Sequence, residues 1–293
     1  MQKQTAAGRC RLCPRDCGAD RENGVGFCGV GNAPVVARAM RHDWEEPCIS
    51  GTRGAGAVFF SGCNLRCVYC QNYEISQLKE GKTVTVERLR AIFRELEAEG
   101  VHNLDLVTGS HFVPAICEAL MPPPSVPVVW NSSGYEKPLT LKMLAGKVQI
   151  YLPDMKYSDP TLAAQLSAAP DYPKVAAAAI REMFRQTGPY VLDDAGLMRS
   201  GVLIRHLVIP GQLDNTFGVL DWIADTFRPG DVMVSLMCQY TPNGHGGPER
   251  RVTAAEYRRA VDYMTALGIL DGYTQEPDSA ENCYTPDFDG RGV

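Results

Sequence analysis

No stretch of this sequence approaches the roughly 20 consecutive apolar residues that a membrane-spanning helix requires. The opening MQKQTAAGRCRLC also lacks the apolar core of a secretory signal. A cytoplasmic protein with no membrane partner is the expectation. Positive charge is scarce too: 29 Lys and Arg face 34 Asp and Glu, a formal net charge of −5. Those totals give no electrostatic footprint for nucleic acid, which is therefore not an expected partner. There is no internal repeat and no low-complexity tract.

What the chain does have is cysteine. Its 293 residues are 45% apolar and 22% charged, enough for a substantial globular core, yet 11 of them are Cys. In a reducing compartment structural disulfides are disfavoured, and an odd count argues against a fully paired framework, so metal or redox roles come forward. The distribution is uneven. Cys10, Cys13, Cys17, Cys28, Cys48, Cys63, Cys67 and Cys70 crowd the first 70 residues, and only Cys117, Cys238 and Cys283 follow. This predicts a small cysteine-rich lobe over residues 1–50, loop-dominated because residues 18–32 are rich in Gly and polar side chains, ahead of a larger domain over 51–293.

From residue 55 onward short apolar runs alternate with longer amphipathic segments, as in repeated strand and helix units around a parallel sheet. The runs at 57–60, 104–108, 128–131, 148–152, 202–209 and 232–237 read as strands. Segments 86–99, 113–120, 138–144, 173–186, 215–226 and 254–267 read as helices; in the first, Leu89, Ile92, Phe93 and Leu96 share one face. Four prolines in MPPPSVP, residues 121–127, remove backbone donors and make that stretch a loop. Six strands with intervening helices fit either a partial barrel or an open doubly wound sheet.

Directly after the first strand comes SGCNLRCVYCQNYEIS, residues 61–76, with Cys63, Cys67 and Cys70 in a C-x3-C-x2-C spacing. Three thiolates on one loop can converge on a single metal centre. A structural zinc takes four protein ligands, so it would need a further donor such as Cys48. A cubane 4Fe-4S cluster held by three cysteines keeps one iron open to another ligand, which suits a cluster that binds a small molecule as well as carrying an electron.

This spacing, with Tyr69 before the last cysteine, resembles the radical S-adenosylmethionine superfamily. With EEPCISG upstream, LVTGSHFVP and YLPDMKYSD downstream and CRLCPRDCGADRENGVGFCGV at the N-terminus, it is similar to the pyruvate formate-lyase activating enzyme-like (PflX-like) subgroup over nearly the whole chain. The resemblance implies an α/β fold, a partial (β/α)6 TIM-like barrel with the cysteine-rich lobe appended. It implies a 4Fe-4S cluster on Cys63, Cys67 and Cys70, with S-adenosylmethionine bound at the open iron and cleaved reductively. The resulting adenosyl radical would abstract a hydrogen atom from a substrate the sequence does not identify. A glycyl-radical enzyme is the substrate the subgroup label implies, and a flavodoxin or ferredoxin the electron donor.

The same resemblance implies roles for individual residues. Tyr69 belongs to the cofactor side of the cluster loop. Thr108, Gly109 and Ser110 stand where relatives often carry a Gly-Gly-Glu-Pro type turn against the methionine amino group; the Glu-Pro is absent here, which leaves a backbone role. Asn131, Ser132 and Ser133 offer donors for ribose or carboxylate. Asp154 and Lys156 resemble an Asp-Leu-Lys stretch in which the lysine pairs with the methionine carboxylate, and they are the candidate catalytic pair. Arg205, in a strand ending in Pro-Gly, would face the cofactor, and strand alternation sends His206 to the opposite face.

Cys10-x2-Cys13-x3-Cys17-x10-Cys28 forms a second constellation that zinc, a rubredoxin-like iron or another 4Fe-4S cluster would fit, most simply as a staple for a lobe too small to stand alone. Cys117 reads as core. Cys238, Gln239, Tyr240 and Cys283 lie near strand ends where a substrate site would be. The rival function is a non-catalytic iron-sulfur or zinc protein acting in electron transfer or binding.

Overall fold

The structure, a computed structural model, describes residues 9–276 and 286–293, and Cys283 lies outside them. Ten strands form in chain order: β1 (Val35–His42), β2 (Ala55–Phe60), β3 (Lys82–Thr83), β4 (Leu104–Val107), β5 (Val128–Ser132), β6 (Ile150–Pro153), β7 (Val191–Leu192), β8 (Met198–Leu207), β9 (Met233–Met237) and β10 (Gly272–Thr274). The sheet runs β10-β9-β8-β6-β5-β4-β2-β1-β3, with β7 beside β8. Every neighbouring pair from β2 to β10 along that path is parallel, and at the other end β1 runs antiparallel to both β2 and the edge strand β3. The path ends on two different edge strands, so the barrel stays partial.

The helices are α1 (Pro47–Ser50), α2 (Val86–Ala98), α3 (Val113–Ala119), α4 (Pro138–Leu141), α5 (Pro160–Ser167), α6 (Tyr172–Thr187), α7 (Leu213–Thr226) and α8 (Ala254–Ala266). Their sequences explain their limits. Thr85 caps α2 by accepting the Arg88 N–H at 3.1 Å, and Leu89, Ile92, Phe93 and Leu96 are its buried stripe. Thr253 and Glu256 form a reciprocal capping box at the start of α8. Five of the eight helices start with Pro in the first two positions, where its missing N–H has no partner to lose. Among the described residues no helix is long and apolar enough to cross a membrane.

The α/β class and the partial barrel agree with the sequence reading, and the six expected parallel strands are β2, β4, β5, β6, β8 and β9. Three features differ. Residues 35–50, expected with the cysteine-rich lobe, enter the main sheet through β1, which pairs with β2 from Val36 to His42. A short β10 adds a seventh parallel strand. Helix α5 has no counterpart in the sequence pattern because PTLAAQLS offers two turns, too few to display a period; Asp159 caps it by accepting the Thr161 N–H at 2.7 Å.

The lobe that remains, from residue 9 to β1, is loop throughout apart from one isolated bridge between Arg9 and Asp20. Buried Arg21 organises it by donating to the carbonyls of Val30, Gly31 and His111. Arg15 reaches out of the lobe to the carbonyls of Asn64, Ser167 and Ala168. Arg66 returns the contact from the cluster loop, donating to the Phe27 carbonyl at 2.6 Å. The lobe is thereby fastened to the triplet loop by charged side chains on backbone acceptors, which needs little apolar surface.

Candidate active site around the cysteine triplet

A cavity of about 410 Å³ opens over the carboxyl ends of the parallel strands, within the size range of small-molecule sites, roughly 300–1,000 Å³. Strand alternation fixes what faces it. Val107 pairs with Asn131, and Arg205 with Ser235, two residues before Leu207 and Met237 on the same strands; all six line the cavity. Cys63, Cys67 and Cys70 line it from the loop after β2, with Tyr69, Thr108, Ser132, Ser133, Asp154 and Lys156.

The triplet loop needs two tight approaches. Gly62 has φ +83, and a Cβ there would lie 2.8 Å from the Cys28 carbonyl oxygen. The Cys63 N–H donates to that same carbonyl at 3.3 Å, so the lobe and the triplet loop share a seam. At the opposite wall Gly134, φ +71, lets the chain pass Asp154, whose carbonyl oxygen would sit 2.3 Å from any Cβ. Thr108 also adopts φ +62, which is strained for a β-branched residue and belongs to the class of outlier that gathers at functional sites.

Each thiol has its own donor. The Leu65 N–H reaches Cys63 Sγ at 3.4 Å, the Ser167 hydroxyl reaches Cys67 Sγ at 2.9 Å, and the Ser76 hydroxyl reaches Cys70 Sγ at 3.3 Å. Burial pushes the Cys63 thiol up to about 12 and the Cys67 thiol up to about 11, with Lys156 pulling both back. Unliganded, these groups are protonated at neutral pH, and a metal must displace their protons on binding. The donor set fits an iron-sulfur cluster. Three thiols on one loop lining one cavity suit a cubane, which distributes its thiolates over separate irons. Cys48, the fourth ligand a zinc site would need, packs instead with Ile49, Val129 and Ile150 in a separate core cluster.

Across the cavity runs an alternating line of charge. Glu45 Oε2 lies 3.2 Å from Arg205 Nη1, Arg205 Nε lies 3.2 Å from Asp154 Oδ1, and Lys156 Nζ lies 2.6 Å from Asp154 Oδ2. Arg205 also donates to Asn131 Oδ1. Burial pushes the Asp154 carboxyl up, but Lys156 and Arg205 outweigh it and hold it below the usual carboxylate range. Burial likewise disfavours the charged forms of Lys156 and Arg205, and their carboxylate partners reverse the balance, so both stay cationic. The backbone sets this geometry: Asp154 and Arg205 form a parallel bridge beyond β6, and the Met155 N–H donates to the Arg205 carbonyl at 2.8 Å.

His206 points the other way, as alternation requires. It is fully buried, with Nδ1 2.7 Å from the Met155 carbonyl and Nε2 3.0 Å from Thr216 Oγ1. Burial depresses its pKa from 6.5 to about 4. The unfolded chain binds a proton between those values and the folded chain does not, so this contribution is complete above pH 6.5 and falls away towards pH 4. Urea unfolding of the apoprotein is expected to show a loss of about 2–3 kcal/mol from His206 between pH 7 and pH 4.5. His206→Asn should flatten the pH dependence; an unchanged slope would refute the assignment.

Two expected site residues fall outside the cavity. Ser110 turns inward and donates to Glu136 Oε1 at 2.7 Å, and Gly109 packs on Ile116 and Trp130. Ser132 lines the cavity, but its hydroxyl is committed to Glu136 Oε2 at 2.6 Å. Conversely, Glu45 and Glu46 enter the cavity from the loop after β1, although nothing in their spacing relates them to strands more than a hundred residues away. Cys238 is buried with its N–H on Gln275, Cys117 Sγ donates to the Met143 carbonyl, and Tyr240 packs on Tyr69 at a ring separation of 5.8 Å. Gln239 lines the cavity and accepts at its carbonyl from Gln71, 3.0 Å away.

In the N-terminal lobe, burial raises the Cys13 thiol to about 11, and Cys10, Cys28 and Cys17 each add to the rise. Gly26 separates two of them, since a Cβ there would lie 3.3 Å from Cys28 Sγ and 3.5 Å from Cys17 Sγ. The four thiols are therefore neighbours.

Residues 57–145 match the family model described as the Radical SAM superfamily. Over 267 residues the chain is 27% identical to the uncharacterized protein MJ0674 of Methanocaldococcus jannaschii, covering 86% of this chain and 73% of that one. Among solved structures it is similar to Streptococcus suis SuiB bound to S-adenosylmethionine, with a TM-score of 0.49 and 14% identity over 73% of this chain, and it spans about half of SuiB, 48%. It is similar also to a spore photoproduct lyase mutant, with a TM-score of 0.49 and 13% identity over 74% of each chain. The cysteine triplet in the loop after β2 lies inside the segment, residues 57–145, over which the chain is similar to the radical SAM superfamily.

Proposed function

We propose that this chain is a radical S-adenosylmethionine enzyme acting by hydrogen-atom abstraction. The observation that carries the reading is that Cys63, Cys67 and Cys70 line the same cavity as Asp154, Lys156 and Arg205. The cysteines would hold a 4Fe-4S cluster, and cluster and S-adenosylmethionine together would supply reductive cleavage of the latter. The chain's own part is binding and orientation. Lys156 keeps its proton and presents an ammonium to a carboxylate. Asp154 is ionised, positions Lys156 and can accept from an amine. Asn131 and the Thr108 backbone supply neutral polar contacts on the adjoining wall, and Tyr69 and Leu65 contribute apolar surface that limits water.

The test is anaerobic: reconstitute with iron and sulfide, reduce, add S-adenosylmethionine and quantify 5′-deoxyadenosine in wild type and Cys67→Ala. Production that depends on Cys67 supports the reading. An intact reduced cluster in a protein that neither binds nor cleaves the cofactor, alone or with candidate substrates, would leave a non-catalytic iron-sulfur protein.

Within this class a glycyl-radical enzyme is the narrower substrate proposal, supported by the resemblance around Asp154 to Lys156 and Arg205 to Gly211, with a flavodoxin or ferredoxin as donor. A glycyl radical signal on a co-purified partner is its readout. The four N-terminal thiols are proposed as a second metal site stapling a lobe that has little apolar core of its own. Metal content per chain in Cys13→Ala against wild type checks it.

A further inference from the structure

The sulfur of Cys67 is the end of a buried hydrogen-bonded chain that the binding steps above do not use. Ser167 Oγ lies 2.9 Å from Cys67 Sγ and 2.6 Å from the Tyr157 hydroxyl, and Tyr157 lies 2.8 Å from the Tyr69 hydroxyl. Ser167 and Tyr157 have no exposure and Tyr69 has 6%. Distances alone leave the direction of each link open, but the cysteine settles it. A ligating thiolate has no proton and only accepts, so Ser167 donates to Cys67. Its single proton is then spent, and Tyr157 must donate to Ser167; by the same count Tyr69 donates to Tyr157.

We propose that Tyr69, Tyr157 and Ser167 form a one-way relay that polarises a hydrogen bond onto the Cys67 sulfur and raises the reduction potential of the cluster bound there. The inference rests on the cluster reading of Cys63, Cys67 and Cys70. Hydrogen bonds to cluster sulfurs stabilise the more negative, reduced form, and successive links in a buried chain strengthen one another. The three ligands are unequal in this respect. Cys67 has the closest donor, and only that donor is continued by a chain of buried hydroxyls.

The position of Ser167 does not depend on its hydroxyl. Its carbonyl accepts from Arg15 and from the Arg66 N–H, and the neighbouring Leu166 carbonyl accepts from the Val68 N–H at 2.9 Å. Removing the hydroxyl therefore leaves the backbone clamp between α5 and the triplet loop in place.

The experiment compares the full chain, reconstituted anaerobically, as wild type, Ser167→Ala, Tyr157→Phe and Tyr135→Phe. The Tyr135 hydroxyl is bound to Asp171 at 2.7 Å and lies off the relay, so that variant controls for loss of the hydroxyl of a buried tyrosine. Iron and sulfide content is measured first, then the midpoint potential by redox titration monitored by electron paramagnetic resonance. Ser167→Ala is expected to raise the oxidised-to-reduced ratio at fixed poise about tenfold, a shift of about 59 mV to more negative potential for a one-electron couple. Tyr157→Phe is expected to shift the potential in the same direction by less, and Tyr135→Phe not at all. Equal potentials in all loaded proteins would overturn the relay, as would Tyr157→Phe matching wild type. If Ser167→Ala fails to load, Tyr157→Phe decides; if both relay variants fail while Tyr135→Phe loads, the residues serve assembly and the proposal is overturned. A wild type that takes up no cluster overturns the cluster reading itself, a result distinct from the others.

Discussion

Arg205→Ala is expected to destabilise the apoprotein by about 3 kcal/mol, and to abolish measurable S-adenosylmethionine binding in the reconstituted protein. The stability figure follows from what the truncation leaves behind. Among the described residues Arg205 bridges Glu45 and Asp154 in the line of charge described above. Without it Glu45, with 10% side-chain exposure, loses its guanidinium, and Asp154, with 15%, keeps Lys156 alone. Breaking a buried ion pair by removing one partner costs about 3–5 kcal/mol. The residual exposure of these groups argues for the lower end. Arg205→Lys should fall between, because one ammonium cannot meet Glu45, Asp154 and Asn131 in their separate directions. Urea denaturation gives the first number and equilibrium binding the second. A stability within 0.5 kcal/mol of wild type, roughly the scale of ordinary surface substitutions, would show that the network is solvated and has no structural weight.

The second large effect belongs to Glu136, which does not itself line the cavity but holds a residue that does, Ser132. Its carboxylate accepts from the Ser110 hydroxyl at 2.7 Å, the Trp130 indole N–H at 2.9 Å and the Ser132 hydroxyl at 2.6 Å. Burial pushes its pKa up and these three bonds draw it back. Glu136→Ala deprives three buried donors of their acceptor and opens a void beneath the β5 end, for an expected loss of about 3–4 kcal/mol at about 1–3 kcal/mol per unsatisfied group. The two serines can turn to other acceptors, whereas the indole N–H cannot, which keeps the total below the simple sum. Glu136→Gln should lose only about 1 kcal/mol, because the amide oxygen can still receive Ser110 and Trp130 while its NH2 meets the Ser132 oxygen. Comparing the two unfolding midpoints separates the hydrogen bonds from the volume. Equal losses would mean that packing, not acceptance, is the role of the side chain.

The strands of the barrel were legible because each is a short apolar run followed by an amphipathic segment of distinct period. Helix α2 shows why: a Thr cap, then Leu89, Ile92, Phe93 and Leu96 at helical spacing, all local information. β1 was not legible, since VVARAMRH mixes charged and apolar residues, and its place is set by pairing with β2 across the segment that holds α1. The direction of the Ser110 hydroxyl is not legible for a related reason. A hydroxyl at a strand end can face a cavity or a buried acceptor, and its acceptor, Glu136, comes 26 residues later.

By itself the sequence determined the spacing of the cysteine triplet, because ligand spacing along a single loop is a local property that three thiols carry wherever the chain goes. It determined the strand-helix alternation for the same reason. Only the tertiary structure decided what surrounds the triplet. Glu45, Asp154 and Arg205 meet across separations of 109 and 51 residues, and Ser167 meets Cys67 across 100. Contacts of that kind depend on sheet order and register, which no short-range pattern encodes.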